Sequence, residues 1–372
     1  MSETENMAST SPAAVASEAV AAPDSTVTTG GSTTENVDGD LITAEEFILD
    51  DNISLAESDT ALSSTSVTSS VYDYRVENGR TYHKYKDGKY YIPNDEREND
   101  RLDMNLQHNM VIRSCGGQLG TAPPNAPGAK VGRVLDLGTG SGIWAIDFGD
   151  EHPEADVLGI DLSPSQPEFV PPNVRFEIDD VEESWTFSVP FDYIHSRGMT
   201  SSIGNWDKYL QQAYDHLSPG GYVELIEMNP KPLCDDDTLP EGSPLVKSVQ
   251  MLEEAATIFG RPFVDIHSLK EKMIQIGFED VHMQRFKWPT NGWPKDRHYK
   301  ELGIWNYENF AMNWEAFVMA PLTRALGWSK EEVLIHVMEV RKDLGNRNIH
   351  AYFSLWSIWG RKPMKAPASS AT

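Results

Sequence analysis

Three glycines with an acidic residue just before them form the segment of this sequence with the clearest chemical meaning. Residues 134–143 read VLDLGTGSGI and place Gly138, Gly140 and Gly142 between an apolar run and a helix-forming stretch. Glycine has no Cβ, so the backbone can approach a ligand closely, and the start of the following helix offers free N–H groups. Asp136 would repel a pyrophosphate. The loop is therefore typical of a site for a ligand that carries a cation.

Two more acidic positions follow at the ends of the next two predicted strands. Asp161 lies 19 residues after Gly142, within the apolar-to-polar sequence GIDLS. A carboxylate at such a position can accept hydrogen bonds from both hydroxyls of a ribose. The pair Asp179-Asp180 follows the next strand and is followed by Val181. Three such elements therefore follow one another in order and at regular spacing.

Together these elements closely resemble the donor site of the class I S-adenosylmethionine-dependent methyltransferases. The resemblance implies a Rossmann-like sheet and S-adenosylmethionine as the cofactor. It also implies that Gly138 and Gly140 let the loop wrap the methionyl part, and that Asp136 holds the α-ammonium directly or through water. Asp161 is then expected at the ribose and Asp180 at the adenine amino group. The remaining cofactor-binding positions that the resemblance implies are Thr139, Gly142, Leu162 and Val181.

Outside this site, residues 77–83, 94–103 and 348–352 resemble the LaeA-type methyltransferases of filamentous fungi. That likeness extends over nearly all of residues 75–362. It implies methylation of a small molecule in secondary metabolism, or regulation of secondary metabolism and development, and the sequence does not separate the two. The alternative is a methyltransferase-fold scaffold in a nuclear regulatory complex, with little or no methylation. In that case a velvet-type or other regulatory partner is expected to bind through the N-terminal tail.

Candidate catalytic residues come from the ends of the fourth and fifth predicted strands. Methyl transfer is an in-line displacement at an activated methyl, so positioning supplies much of the catalysis and no base is obligatory. If the acceptor is a hydroxyl or an acidic N–H, His195 is the first candidate for the base, because it can titrate near neutrality. A purely structural role for His195 is equally open. Glu227 is a second candidate at the acceptor, and Arg197 either organises nearby carboxylates or pairs at the surface.

No metal role is assigned to any residue. Cys115 and Cys234 are far apart and belong to no CxxC or Cys/His cluster, and His267, His282 and His298 lack the spacing of helical metal ligands.

Alternation of strands and helices predicts how these residues are positioned. Strands are expected at 132–137, 156–161, 174–178, 191–195 and 221–227, with helices after most of them. This is the pattern of a doubly wound α/β sheet, mostly parallel, with helices on both faces. Two further strands, 281–289 and 351–362, predict an antiparallel last strand. Their long connection is expected to form a helical cap with many tryptophans, which include Trp288, Trp293, Trp305 and Trp314. Most of them are expected in the core and some in the wall of the acceptor pocket.

Charge and composition divide the chain into parts. The 372 residues include 31 Lys and Arg and 57 Asp and Glu, for a net charge of −26. Residues 1–70 hold 13 of the acids and no base, and we predict a disordered, acidic, Ser/Thr-rich tail there. Residues 71–130 are expected to form a Tyr-rich lid and helix, and 131–362 the methyltransferase domain with the cap at about 290–345. Residues 363–372 are a predicted disordered C-terminal tail.

The same numbers exclude other classes of protein. A strongly negative chain repels nucleic acid, and no apolar run approaches the ~18 residues of a membrane span. The first 30 residues lack the pattern of a signal peptide. We therefore expect an intracellular protein, cytoplasmic or nuclear or both, that acts on a small-molecule acceptor.

Overall fold

The computed structural model describes residues 74–83, 89–95, 98 and 106–364, and the backbone of residues 35–36. All of them belong to one compact unit, Thr33–Thr372. The predicted tails at 1–70 and 363–372 lie almost entirely outside the described residues.

A mixed sheet of eight strands organises the described part of the chain. In chain order the strands of the sheet and of a separate hairpin are β1 (Glu35–Asn36), β2 (Arg75–Glu77), β3 (Arg80–Tyr82), β4 (Arg133–Leu137), β5 (Asp156–Asp161), β6 (Val174–Ile178), β7 (Phe191–Arg197), β8 (Leu217–Cys234), β9 (Glu279–Pro289) and β10 (Ala351–Arg361). The sheet order is β1-β9-β10-β8-β7-β4-β5-β6, and β2 pairs with β3 in the separate hairpin.

This topology confirms the predicted fold class. β4 to β8 pair in parallel, whereas β10 runs antiparallel to both β8 and β9. The chain first builds the sheet outward from β4 through β5 to β6 and then returns to add β7 on the other side of β4. Crevices at such a switch point, outside the carboxyl ends of the strands, are where ligands bind in open α/β sheets.

Helices cover both faces of the sheet. In the described part of the chain they are α1 (Leu106–Ser114), α2 (Ile143–Glu151), α3 (Trp206–His216), α4 (Pro244–Ile258), α5 (Ile266–Ile276), α6 (Arg297–Ala311), α7 (Trp314–Ala320) and α8 (Lys330–Gly345). Trp144 and Phe148 of α2 are buried in the cluster on one face, and Leu210 of α3 is buried in the cluster on the other. Such amphipathic packing fixes the strand ends that carry the predicted site.

The connection between β9 and β10 forms the predicted helical cap. It contains α6, α7 and α8, which share an apolar cluster with α4. Ser329 begins α8 with a capping box, in which its side chain and that of Glu332 each accept a backbone N–H of the other residue.

The turn between β2 and β3 and the length of β8 each have a local cause. The Asn78-Gly79 dipeptide joins β2 to β3 with φ angles of 55° and 85°, which is the left-handed backbone that Asn and Gly tolerate best in a hairpin turn. β8 is longer than the predicted 221–227. It continues to Cys234 because β10 pairs with it along almost its whole length, as far as Ala351.

Candidate functional site

A cavity of about 310 Å³ lies along the carboxyl ends of β4, β5 and β7, with the residues that follow β6 in its wall. One half is polar and is lined by the glycine loop and by the predicted acidic positions. The other half is apolar and is lined by aromatic and aliphatic side chains of the cap and of α4. The structure thus brings all the predicted cofactor-binding residues except Gly142 into the wall of one cavity.

The glycine loop follows β4 with left-handed backbone at each glycine. The φ angles are 66° at Gly138, 59° at Gly140 and 84° at Gly142. A Cβ at Gly142 would lie 2.4 Å from the ring of Phe176, so that glycine packs the loop onto β6. A Cβ at Gly138 would lie 2.6 Å from the sulfur of Met199. Gly138 and Gly140 line the cavity with backbone that carries no Cβ, whereas Gly142 packs against Phe176.

Asp161 ends β5 and supports the same loop. Its Oδ2 accepts from the Gly140 N–H at 2.9 Å, and its Oδ1 accepts from the Ser163 N–H at 3.0 Å. Burial raises the pKa of Asp161, and the two backbone hydrogen bonds oppose that rise. Because each carboxylate oxygen has a second lone pair, Asp161 can still accept from a diol in the cavity.

Asp180 lies next along the sheet, at the end of the cavity near β6. Its Oδ2 pairs with the ammonium of Lys89, and its Oδ1 accepts from the Glu182 N–H at 3.0 Å. Arg261 donates from Nε to the Lys89 carbonyl at 2.8 Å and from Nη2 to Glu182 at 2.6 Å. Residues 89–94 line the cavity, and their role as a lid stays a prediction. Sequence reasoning missed Lys89 and Arg261 because no motif marks either of them.

His195 and Asp136 form a buried pair on the adjacent strands β7 and β4. The Nδ1 of His195 donates to Asp136 Oδ1 at 2.7 Å, and Thr139 Oγ1 donates to Asp136 Oδ2 at 2.6 Å. The ring of Trp144 stacks on His195 with centroids 3.7 Å apart and an angle of 6°. The Nε2 of His195 is buried and has no partner among the described residues, although His195 lines the cavity. The pair has the geometry of a histidine oriented by a carboxylate, with its lone pair on Nε2.

Arg197 lies two residues beyond His195, at the end of β7. Its Nη1 donates to His108 Nδ1 at 3.1 Å, and His108 Nε2 in turn donates to Asp147 Oδ2 at 2.8 Å. Both Arg197 and His108 line the cavity. The sequence left two roles open for Arg197, organising nearby carboxylates or pairing at the surface. Arg197 forms no ion pair with a described residue, so the structure does not show the surface pair.

Glu227 is fully buried, and it is not one of the described residues that line the cavity. Its carboxylate accepts from the Met199 N–H at 3.0 Å and from Thr200 Oγ1 at 2.6 Å, and both of those residues do line the cavity. Burial raises the pKa of Glu227 to about 7. Glu227 therefore supports the loop after β7, and its role at the acceptor stays a prediction.

Glu224, on the opposite face of β8, anchors a different loop. Its two oxygens accept six hydrogen bonds. Two come from the backbone N–H groups of Thr121 and Ala122, and four come from the side chains of Thr121, Asn125, Tyr193 and Ser357. This buried carboxylate is satisfied entirely within the protein. Its contacts indicate a structural role.

The apolar half of the cavity fits a nonpolar molecule. The aromatic and aliphatic residues that form its wall are Met228, Val249, Leu252, Phe263, Phe310, Trp314, Phe317 and Phe353. Of the four tryptophans expected in the cap, Trp314 lines the cavity, whereas Trp288 and Trp293 are buried outside it.

The described residues contain no cluster of three or more His, Cys, Asp or Glu side chains that could hold a metal ion. None of the helices in the described part of the chain has the length and apolar content that a membrane crossing requires.

Comparisons with known proteins agree with this geometry. Residues 116–283 match a family model described as a methyltransferase domain. The chain is 41% identical to methyltransferase pytC of Aspergillus terreus over 82% of this chain and 93% of that protein. It is 40% identical to secondary metabolism regulator LAE1 of Cochliobolus heterostrophus, over 78% of this chain and 95% of that protein. Secondary metabolism regulator laeA of Aspergillus fumigatus is 35% identical over 79% of this chain and 78% of that protein.

Proposed function

Because the chain belongs to the LaeA-like methyltransferases of fungal secondary metabolism, we propose that it methylates a small apolar acceptor with S-adenosylmethionine as the donor. The observation that carries this proposal is the continuous cavity, polar at the glycine loop and apolar at the cap. A donor with an adenosine end and a charged methionyl end fits the first half, and an apolar acceptor fits the second.

The residues of the polar half suit this donor. Gly138 and Gly140 line the cavity with left-handed backbone and no Cβ, which fits a ligand held against the loop. We assign the ribose hydroxyls to Asp161 and the adenine amino group to Asp180, with the Val181 N–H beside it. Thr139, Gly140 and Leu162 complete the wall at these groups. Bound S-adenosylmethionine supplies an electrophilic methyl group on its sulfonium.

His195 is the proposed base for an acceptor hydroxyl or acidic N–H. Its unpartnered Nε2 can accept the acceptor's proton, and the Asp136 carboxylate at Nδ1 stabilises the imidazolium that results. Trp144 restricts the ring to one plane by stacking. Because Asp136 is only 2% exposed and both its oxygens accept hydrogen bonds, the pair is preorganised before any ligand binds.

The acceptor is proposed to be a small molecule because the apolar half of the cavity is lined by side chains from the cap, α4 and β10. Desolvated aromatic walls bind apolar surface, and a few polar groups at the junction with the donor half orient the reacting atom. His195 and Thr200 are such groups.

A regulatory role is the second candidate, favoured by the names of the relatives LAE1 and laeA. In this reading the cavity still binds the donor, while a velvet-type or other partner binds the tail at residues 1–70. That part of the proposal lies outside the described residues. A cytoplasmic or nuclear location suits either role.

Two experiments test the function. Calorimetry with S-adenosylmethionine should detect binding by the intact protein, and no binding would refute the donor assignment. Deletion of the gene followed by metabolite profiling separates the roles. One lost product with an accumulating unmethylated precursor identifies an enzyme of a single pathway, whereas many silenced pathways identify a regulator.

A further inference from the structure

Arg197 is a cation in the cavity wall with no described carboxylate within ion-pair distance, although Asp136 and Asp147 act on its charge from farther away. Arg261 forms an ion pair with Glu182, with 2.6 Å between nitrogen and oxygen. No acidic side chain among the described residues lies within 4.0 Å of the Arg197 guanidinium, the limit for an ion pair. Its contact is instead with the ring of His108. Burial lowers the pKa of Arg197, but a guanidinium remains charged at neutral pH. A partly buried charge of this kind is costly unless a ligand pairs with it.

His108 orients this charge without cancelling it. Asp147 can only accept a hydrogen bond, so the proton of His108 lies on Nε2 and the lone pair of Nδ1 faces Arg197. Burial also lowers the pKa of His108, which keeps the ring neutral. Arg197 is therefore held at Nη1, its Nε and Nη2 have no hydrogen bond to a described residue, and the residue lines the cavity.

The order of the strands tells which end of the donor meets Arg197. Along the carboxyl edge of the sheet, β7, β4, β5 and β6 place Arg197, Gly138, Asp161 and Asp180 in that sequence, with neighbouring strands about 4.8 Å apart. If adenosine lies at Asp161 and Asp180, the opposite end of the donor lies over Gly138 and next to β7. That end carries an α-ammonium and an α-carboxylate.

We propose that Arg197 binds the α-carboxylate of the donor, with His108 as the positioning residue that holds its guanidinium. A planar guanidinium matches a carboxylate with two parallel hydrogen bonds, and a cation at this place repels the α-ammonium. The inference rests on the proposed function, since it assigns one more group of the same ligand.

Three ligands that differ in this one end test the assignment by calorimetry. They are S-adenosylmethionine, its decarboxylated analogue and 5′-methylthioadenosine, which lacks the whole amino-acid part. The protein as it exists should bind S-adenosylmethionine about 10- to 100-fold more tightly than the decarboxylated analogue, as expected for a charge-assisted contact. In Arg197→Met that preference should fall to about onefold, while affinity for 5′-methylthioadenosine stays unchanged.

Matched variants make the result specific. Arg297→Met removes an exposed arginine of α6 and should keep the full preference. Arg197→Lys keeps the charge but loses the planar fork, so it should keep only part of the preference. Equal affinity of the unaltered protein for the two longer ligands would overturn the inference even if Arg197→Met does not fold. A full preference retained by Arg197→Met would also overturn it. Failure of all three ligands to bind would instead refute the donor assignment itself, and this inference with it.

Discussion

The Nδ1 of His195 donates to Asp136 at 2.7 Å, across strands in which these two residues are paired in register. The acid expected to hold the donor's ammonium is therefore already bonded to a histidine that faces the same cavity. In this arrangement the Asp136 carboxylate at Nδ1 fixes the tautomer of His195 that leaves Nε2 free to accept a proton.

Replacing His195 by glutamine should lower product formation by a factor of about 10²–10⁴, because a positioned base contributes that much to proton transfer. Donor affinity should change by less than about threefold, since the assigned donor contacts remain in place. The ratio of methylated to unmethylated product in a strain carrying the variant measures the first effect, and calorimetry measures the second. His282→Gln is the control, because His282 stacks on Trp359 and does not line the cavity. Full product formation by His195→Gln would leave the histidine a structural role only.

Replacing Asp161 by asparagine should weaken donor binding about 10- to 100-fold. The amide keeps one acceptor oxygen but turns an NH₂ group toward the N–H of either Gly140 or Ser163, where both now find a carboxylate oxygen. Calorimetry with S-adenosylmethionine provides the affinity. Asp156→Asn, at the opposite end of β5, should leave donor binding unchanged. An equal loss in the two variants would mean that the sheet, rather than the contact, was damaged.

Stability should depend on pH through Glu227. Its pKa is about 7 in the folded protein against an ordinary 4.5, so the folded state keeps a proton that the unfolded chain releases between those values. The associated stabilisation is complete below pH 4.5 and is lost as the pH rises through 7. Glu227→Gln should lack this dependence and should exceed the original protein by up to about 3 kcal/mol in free energy of unfolding at pH 8.5.

Urea denaturation at pH 5.0, 6.5 and 8.5 measures the effect of Glu227→Gln. Glu254→Gln, an exposed glutamate of α4, serves as the control and should follow the original protein at each pH. Parallel pH curves for the original protein and Glu227→Gln would contradict the assignment.

Glu224 should matter for stability more than for ligand binding. In the original protein the Ala122 N–H and Asn125 Nδ2 both donate to the same carboxylate oxygen of Glu224. In Glu224→Gln an NH₂ group, which cannot accept these hydrogen bonds, takes the place of that oxygen. Leaving two buried donors unpaired should reduce the free energy of unfolding by about 2–5 kcal/mol. Urea denaturation against Glu254→Gln measures the loss. A change below about 1 kcal/mol would mean that the loop at 121–125 rearranges to satisfy its donors elsewhere.

The sheet and the polar half of the cavity were predictable because their signals are local. Residues 134–143 contain a strand end, a turn and a helix start, and parallel strands bring Asp161 and Asp180 to the same edge. Long-range contacts had no such signal. Arg261 reaches the Lys89 carbonyl across 172 residues of chain, and Arg197 reaches His108 across 89. Neither pairing follows from spacing or residue type.

The two glutamates of β8 show the same limit at a single strand. Both are acids in an apolar run, and the prediction of Glu227 at the acceptor depends on its place at the end of the predicted strand. The structure buries both and satisfies each through loops that the sequence does not connect to β8, at residues 199–200 for Glu227 and 121–125 for Glu224. Only the packing of those loops tells a structural carboxylate from a reactive one.

The cavity wall is also divided along the chain. Every group assigned to the donor comes from residues before 203, whereas the apolar wall is built from Met228 onward. Substitutions from Met228 onward can therefore alter which compound is modified, while the residues assigned to the methyl donor stay unchanged. Related pathways would then diversify their products at one end of the gene.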